Sequence, residues 1–325
     1  MSRKAIIILS AIVVFLVASV AIYIIGGSNL KSPKLRTIVV VLPSSSNPFW
    51  LEVRKGAEEA RVDVPSYKIE IKVSTMPQDA KAQSDILIDL LPRNDIAAVV
   101  VGPASSTAPI SALAKLDKKG IPSVIIDTTL NDKICRDSKY SPKAFVGSNN
   151  YSGAVKAAKS IFKELQRRKA KPPFRVLVLE GNRVHQSAID RADGFYKAAR
   201  ELGMRFEGVR AEWSRAKAQD FTANKFAVGG FYNAIFACND DMALGAITAL
   251  KSLKIDTNRW PVIIGFDYTL PAIEAIEAGD MFGSVRQNPV KMGKMGVRLA
   301  ALAASKDPGL PSQPIYLPTD VFPQQ

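Results

Sequence analysis

Five residues able to bind a polyhydroxylated ligand stand directly behind short apolar runs. Asp127 follows Ser123–Ile126. Asn239, Asp240 and Asp241 follow Ala234–Ala237, and Asp267 follows Val262–Gly265. A sugar hydroxyl is donor and acceptor at once, and carboxylate or carboxamide oxygens take its proton strongly. A sugar ring also presents a C–H face that suits an aromatic plane. Phe49 and Trp50 follow the run Thr37–Leu42, and Trp213 ends another such run, Phe206–Trp213. A polar cap with proline at the first helical position accounts for Ser46 to Pro48, but not for two large aromatics in the same first turn. Asp127 and Asp267 taken singly are also what a turn cap requires. Together the set favours a polar, neutral ligand.

Arg191 is a candidate of a different charge. In Gln186-Ser187-Ala188-Ile189-Asp190-Arg191, Ser187 can cap a helix running to about Leu202, which places Arg191 one turn inside, near a ligand-facing end. A surface ion pair with Asp190 or another acid is the alternative. His185 is the sole histidine, so no two-histidine metal motif exists. It stands two positions from Ser187 with no orienting acid defined, which argues against a hydrolase. No Gly-x-Gly-x-x-Gly or phosphate loop opens the chain's strand-helix units, so no nucleotide cofactor is expected. Two cysteines, Cys135 and Cys238, make no disulfide framework or four-cysteine zinc site and are expected as free thiols.

These residues need elements to place them. Apolar runs of strand length (Thr37–Leu42, Tyr67–Val73, Ala97–Val101, Ser123–Ile126, then Phe174–Leu179, Phe206–Trp213, Ala234–Ala237, Val262–Gly265) alternate with segments whose apolar residues recur at three and four, such as Phe49–Ala60, Ala80–Leu91, Tyr151–Leu165 and Met242–Leu250. The alternation predicts an α/β fold with mainly parallel sheets. Two series of about four strands suggest two similar lobes, with a crossing near Ala144–Asn150. In such sheets ligands bind at the carboxyl ends of strands, where the candidate residues lie. The proline-rich end, Asp307 to Gln325, is expected to return along the lobes as an extended segment.

With 325 residues, 47% hydrophobic and 23% charged, the chain can bury a large core. Residues Ala5 to Gly27 carry no charge, and Arg3 and Lys4 precede them. At about 1.5 Å per residue the run spans a bilayer core. It reads as a signal peptide ending at Ser19-Val20-Ala21 or as an uncleaved anchor; either exports the rest. Residues 1–30 hold two basic and no acidic residues, so of the 44 Lys and Arg, 42 remain against 30 Asp and Glu, a net +12. Outside the cytoplasm a nucleic-acid partner is not expected, and the basic cluster Arg167 to Lys171 reads as a solvated helix end.

In order along the chain, Asn47-Pro48-Phe49-Trp50, Ser187 through Phe195, Asn239 through Ala246, Gly265-Phe266-Asp267 and Gln287-Asn288-Pro289 with Gly293 following resemble the ribose-type (type I) periplasmic sugar-binding proteins of ABC importers. The resemblance runs from about Thr37 to Leu302. It implies two Rossmann-like, doubly wound lobes joined by a hinge of three crossings, with one sugar in the interlobe cleft. The implied division is 36–148 plus 288–313 for the N-terminal lobe and 149–287 plus 314–325 for the C-terminal lobe, after a 1–30 leader. It further implies that Asn47 and Gln287 bond hydroxyls, that Phe49 and Trp50 stack on one ring face and Trp213 on the other, and that Asp127, Arg191, Asn239 and Asp267 complete the polar shell. The implied protein is a monomer without catalytic activity or cofactor, located in the periplasm or on the outer face of the cytoplasmic membrane. Its partner is an ABC permease or, as the alternative, a membrane receptor or sensor kinase. Four departures from the family pattern bear on the ligand. Thr128 follows Asp127 where ribose binders have arginine, Gly102 replaces a usual asparagine, Trp50 replaces a smaller aromatic, and Thr129–Lys143 is longer.

Overall fold

The computed structural model describes residues 35–74, 78–228, 230–256 and 259–323. The leader or anchor expected in residues 1–30 lies outside them. Among the described residues no helix is long and apolar enough to cross a membrane.

The first lobe is built from β1 (Arg36–Leu42), α1 (Pro48–Glu59), β2 (Tyr67–Val73), α2 (Ala80–Ile88), β3 (Ile96–Val101), α3 (Ile110–Lys118), β4 (Ser123–Ile126), α4 (Asp132–Asp137) and β5 (Ala144–Ser148). The second has α5 (Asn150–Arg167), β6 (Arg175–Glu180), α6 (Gln186–Glu201), β7 (Arg205–Arg210), α7 (Arg215–Ala227), β8 (Ala234–Ala237), α8 (Asp240–Ser252), β9 (Val262–Asp267), α9 (Leu270–Glu277) and β10 (Gly283–Arg286). Then come α10 (Pro289–Ser305), β11 (Ile315–Leu317) and β12 (Asp320–Phe322).

The two six-stranded sheets have the orders β11-β5-β4-β3-β1-β2 and β12-β10-β9-β8-β6-β7. Each is doubly wound, and its order reverses beside its first strand, β1 or β6, which opens a crevice at the strand carboxyl ends. The alternation of side chains across β1 shows how apolar runs become covered strands. Ile38, Val40 and Leu42 enter one core with Val53 and Ala57 of α1 and Val297 and Ala300 of α10. Val39 and Val41 enter the opposite core with Leu87, Leu113 and Leu116. Val176 to Leu179, Phe195 and Phe236 centre the second lobe's core, with the two phenylalanine rings stacked at 4.4 Å.

The chain changes lobe three times: from β5 into α5, from β10 into α10, and from β11 into β12. The last crossing corrects the expected assignment of 314–325 to the second lobe. Ile315–Leu317 pairs in parallel with Val146–Ser148 of the first sheet, and buried Leu317 joins the first core. Only Asp320–Phe322 crosses, pairing antiparallel with Ser284–Arg286. β7 is also shorter than expected. It ends at Arg210, because Glu212 and Trp213 turn into positive φ (55° and 65°).

Candidate functional site

A cavity of about 430 Å³ of empty space opens at the facing strand ends. Its wall holds Asn47, Phe49, Trp50, Gln78, Pro103 and Asp127 from the first lobe, and His185, Ser187, Arg191, Trp213, Asn239 and Asp267 from the second. Both lobes therefore complete it.

Four of these residues, Gln78, Asp127, Trp213 and Asp267, have positive φ (60°, 69°, 65° and 121°). Each lies at or just past a strand end, so the backbone turns sharply there and aims the side chain at the cavity. For Trp213 this conformation costs on the order of 1–3 kcal/mol, the kind of strain that collects at binding sites.

Asn47 caps α1, its Oδ1 accepting the Phe49 N–H at 3.0 Å, while its Nδ2 donates across the cleft to Asp241 Oδ2 at 2.9 Å. Phe49 and Trp50 are buried edge to face, 5.1 Å apart. Trp50 lies so close over Gly102 that an added Cβ would sit 2.5 Å from its ring. The Gly102 and Trp50 departures are thus one exchange of volume. Trp213 repeats the device over Gly181, where a Cβ would come within 2.4 Å of the indole. We expect Gly102→Asn alone to lower stability by about 1–3 kcal/mol through overpacking, and Gly102→Asn with Trp50→Phe to recover most of it. Thermal unfolding of the four variants in that cycle checks the coupling.

Arg191 is a buried anchor. Its Nε donates to Asn150 Oδ1 (2.8 Å), Nη1 donates to the Cys238 carbonyl (2.7 Å), and Asp267 Oδ1 lies 3.4 Å from Nη1. The guanidinium stacks 3.8 Å from the Phe266 ring centre and 5.5 Å from that of Trp213. The alternative surface pairing with Asp190 is not adopted; Asp190 Oδ1 instead accepts from Gln186 Nε2. Asn239 caps α8 by accepting the Met242 N–H at 2.9 Å.

Gln287 stands behind the wall rather than in it. Its Nε2 donates to Asp267 Oδ1 at 2.6 Å, so it positions that carboxylate. Eight of the nine expected contacts, Asn47, Phe49, Trp50, Asp127, Arg191, Trp213, Asn239 and Asp267, therefore converge on the cavity. Four lining residues were not among the nine: His185 and Ser187 at the start of α6, and, from the first lobe, Gln78 and Pro103. The last two follow strands, β2 and β3, and reading the residues past every strand end would have found them.

The start of α6 also corrects the sequence reading. Ser187 is not its cap. The helix begins at Gln186, and His185, the residue before it, makes no capping bond. The caps come from the opposite lobe: Gln186 N–H donates to Ser106 Oγ (2.9 Å) and Ser187 N–H to Thr128 Oγ1 (3.0 Å). Ser106 N–H donates in turn to the Val184 carbonyl (2.9 Å), and the Ser106 carbonyl is held by Asn131 N–H (2.7 Å). Asn131 lies in the longer Thr129–Lys143 segment, which thus braces the contact between lobes.

Burial dominates the site's titration. It pushes Asp127 up to about 6, with Arg191 opposing, and Asp240 up to about 7. It holds Asp267 well above the usual carboxylate range and His185 below the usual imidazole value. Cys135 and Cys238 are free and buried, the latter pushed up to about 12. Raised carboxylates favour the fold in their protonated form, so their contribution is lost as pH rises through about 6 and 7. His185 acts oppositely, because its lowered value means stability is lost as pH falls below its unfolded value of about 6.5. The unliganded protein is therefore expected to melt higher at pH 6.5 than at pH 8, by about 2–4 °C. Calorimetric scans at the two pH values check the sign.

Comparison with known proteins agrees with this geometry. A periplasmic binding protein domain model matches residues 38–308. The D-allose-binding periplasmic protein of Escherichia coli is 27% identical over 268 residues, covering 80% of this chain and 82% of that one. The ribose import binding protein of Haemophilus influenzae is 28% identical over 263 residues, covering 80% and 83%. The solved structure of an ABC transporter periplasmic solute binding protein from Actinobacillus succinogenes with bound D-allose superposes with a TM-score of 0.79 at 25% identity, covering 88% of this chain and 96% of that one. With two doubly wound lobes, three crossings and one cleft lined from both, the chain belongs to the periplasmic binding protein family, in its ribose-type (type I) form.

Proposed function

We propose that the protein captures a monosaccharide or related polyol outside the cytoplasmic membrane by closure of its two lobes and delivers it to the permease of an ABC importer. The observation that carries the reading is the cleft itself. Carboxylates, carboxamides and one guanidinium from both lobes surround a cavity walled by Phe49, Trp50 and Trp213. Several polar atoms on the wall have no partner among the described residues: Asp127 Oδ1, Gln78 Oε1 and His185 Nε2. Buried polar atoms left unpaired are costly, and a polyol's hydroxyls would pair them. The import role is preferred to a sensory one because the relatives are named as import binding proteins.

Closure would work by population shift. Contacts from both lobes exist together only when closed, so a ligand favours that state by its differential affinity. We read the protein as a non-catalytic monomer located in the periplasm. Residues 1–30 would serve as its export signal or hold it at the membrane. A thermal-shift screen against pentoses, hexoses and cyclitols tests the reading. At about 100 times its dissociation constant a ligand stabilises by about 2.7 kcal/mol. A flat response to every sugar, with the protein folded, would sink the proposal.

A further inference from the structure

Of the two carboxyl groups on the cleft wall, Asp267 has a cation within ion-pair distance, and among the described residues Asp127 has none. Among the described residues the wall carries two carboxyl groups, Asp127 and Asp267, and one cation, the guanidinium of Arg191. Arg191 is committed on the second lobe's side to Asn150, the Cys238 carbonyl and Asp267. It reaches Asp127 only through space.

Among the described residues Asp127 has no other source of positive charge on the wall. It is 8% exposed, and its Oδ1 is buried without a hydrogen-bond partner. The next residue, Thr128, carries no charge, and its hydroxyl is spent on the Ser187 N–H. His185, the remaining titratable group of the wall, is kept neutral by burial. With Asp127 pushed up only to about 6, its carboxyl is mostly ionised at pH 7.

A buried carboxylate without a counter-charge is costly, and a neutral hydroxyl relieves its hydrogen-bond deficit but not its charge. An alkylammonium relieves both, offering three donors and a unit positive charge. The wall also suits it, since a cation is attracted to indole and phenyl faces, and Trp50, Phe49 and Trp213 surround the space. We propose that the preferred ligand is an aminated polyol, whose ammonium pairs with Asp127 in the place of the missing protein cation. This rests on the sugar-class reading of the same cleft and makes Asp127 its specificity-determining residue.

The test is calorimetry at pH 7 on the intact protein. The ligands are the neutral sugar that binds best in the screen and its positional amino-deoxy derivatives, with the amine at each ring or side-chain carbon in turn. The expected result is that one amino derivative binds at least about tenfold tighter than its parent. In Asp127→Asn, whose amide keeps the shape and tolerates the positive φ, both affinities should fall, the amino derivative's at least about tenfold more than its parent's, so that the advantage disappears. If the neutral sugar binds and no amino derivative exceeds it, or if Asp127→Asn leaves the preference intact, the inference is overturned and the sugar-binding reading stands. Binding of an amino derivative when no neutral sugar binds supports both. Absence of binding by every member overturns both.

Discussion

Asp267→Ala is expected to abolish measurable sugar binding. The carboxylate sits at the end of β9, its φ of 121° directing the side chain into the cavity, where it meets Arg191 and Gln287. A hydrogen bond to a charged group contributes about 1.5–3 kcal/mol, so losing one reduces affinity about 10- to 150-fold. Loss of Asp267 also releases Arg191 and Gln287 from their shared partner, which pushes the effect to the upper end or beyond. Alanine is strained at this φ, so Asp267→Asn is the companion variant, keeping the shape while removing the charge. Circular dichroism should show both folded. Near-wild-type affinity by calorimetry in the asparagine variant would remove Asp267 from the site.

The second large effect is expected from residues that do not line the cavity. Ser106→Ala with Thr128→Val removes the two hydroxyls that cap α6 from the opposite lobe. A helix cap contributes about 1 kcal/mol, and these two exist only when the lobes are together. In the open form water takes the same N–H groups. The double variant should therefore bind sugar about 30-fold more weakly, with the change in the release rate and little change in association. Unaltered release kinetics would show that the caps are incidental to closure. The Asn131 N–H to Ser106 carbonyl bond suggests why Thr129–Lys143 is long: it fixes the residue that reaches across.

Much of this was readable in the sequence because the signals are local. The strands of both sheets are covered on each face, so Val39 to Leu42 or Val176 to Leu179 show as unbroken apolar runs. The motif glycines carry packing information. A Cβ at Gly194 would come 2.4 Å from the Tyr151 carbonyl, at Gly245 2.3 Å from that of Arg215, and at Gly293 2.0 Å from that of Val53. These are contacts between neighbouring helices that the fold cannot form with larger residues. Asp127, Asn239 and Asp267 were found because each ends or follows a recognisable strand.

What stayed hidden depends on partners distant in sequence. The start of α6 was misplaced because its caps lie 80 and 59 residues away. A cap from another lobe leaves no mark beside the helix, and Ser187 offered a local substitute. The Gly102 and Trp50 exchange is a steric fact about two segments that follow adjacent strands, β3 and β1. β11 is only three residues long, and Ile-Tyr-Leu gives no direction; its lobe is decided by the open edge of β5. Gln287 keeps its expected neighbourhood, but its bond to the Asp267 carboxylate joins residues 20 apart and could not be read locally.

The three tryptophans allow the most direct test of the cleft. Trp50 and Trp213 wall the cavity, while Trp260 is packed elsewhere with its Nε1 donating to the Ile255 carbonyl. Tryptophan emission should be titrated with the sugar that binds, in the wild type and in Trp50→Phe, Trp213→Phe and Trp260→Phe. A sugar-dependent change that survives in Trp260→Phe and shrinks in each of the other two is the predicted result. Emission that ignores a sugar whose binding is established by calorimetry would contradict a site between the lobes.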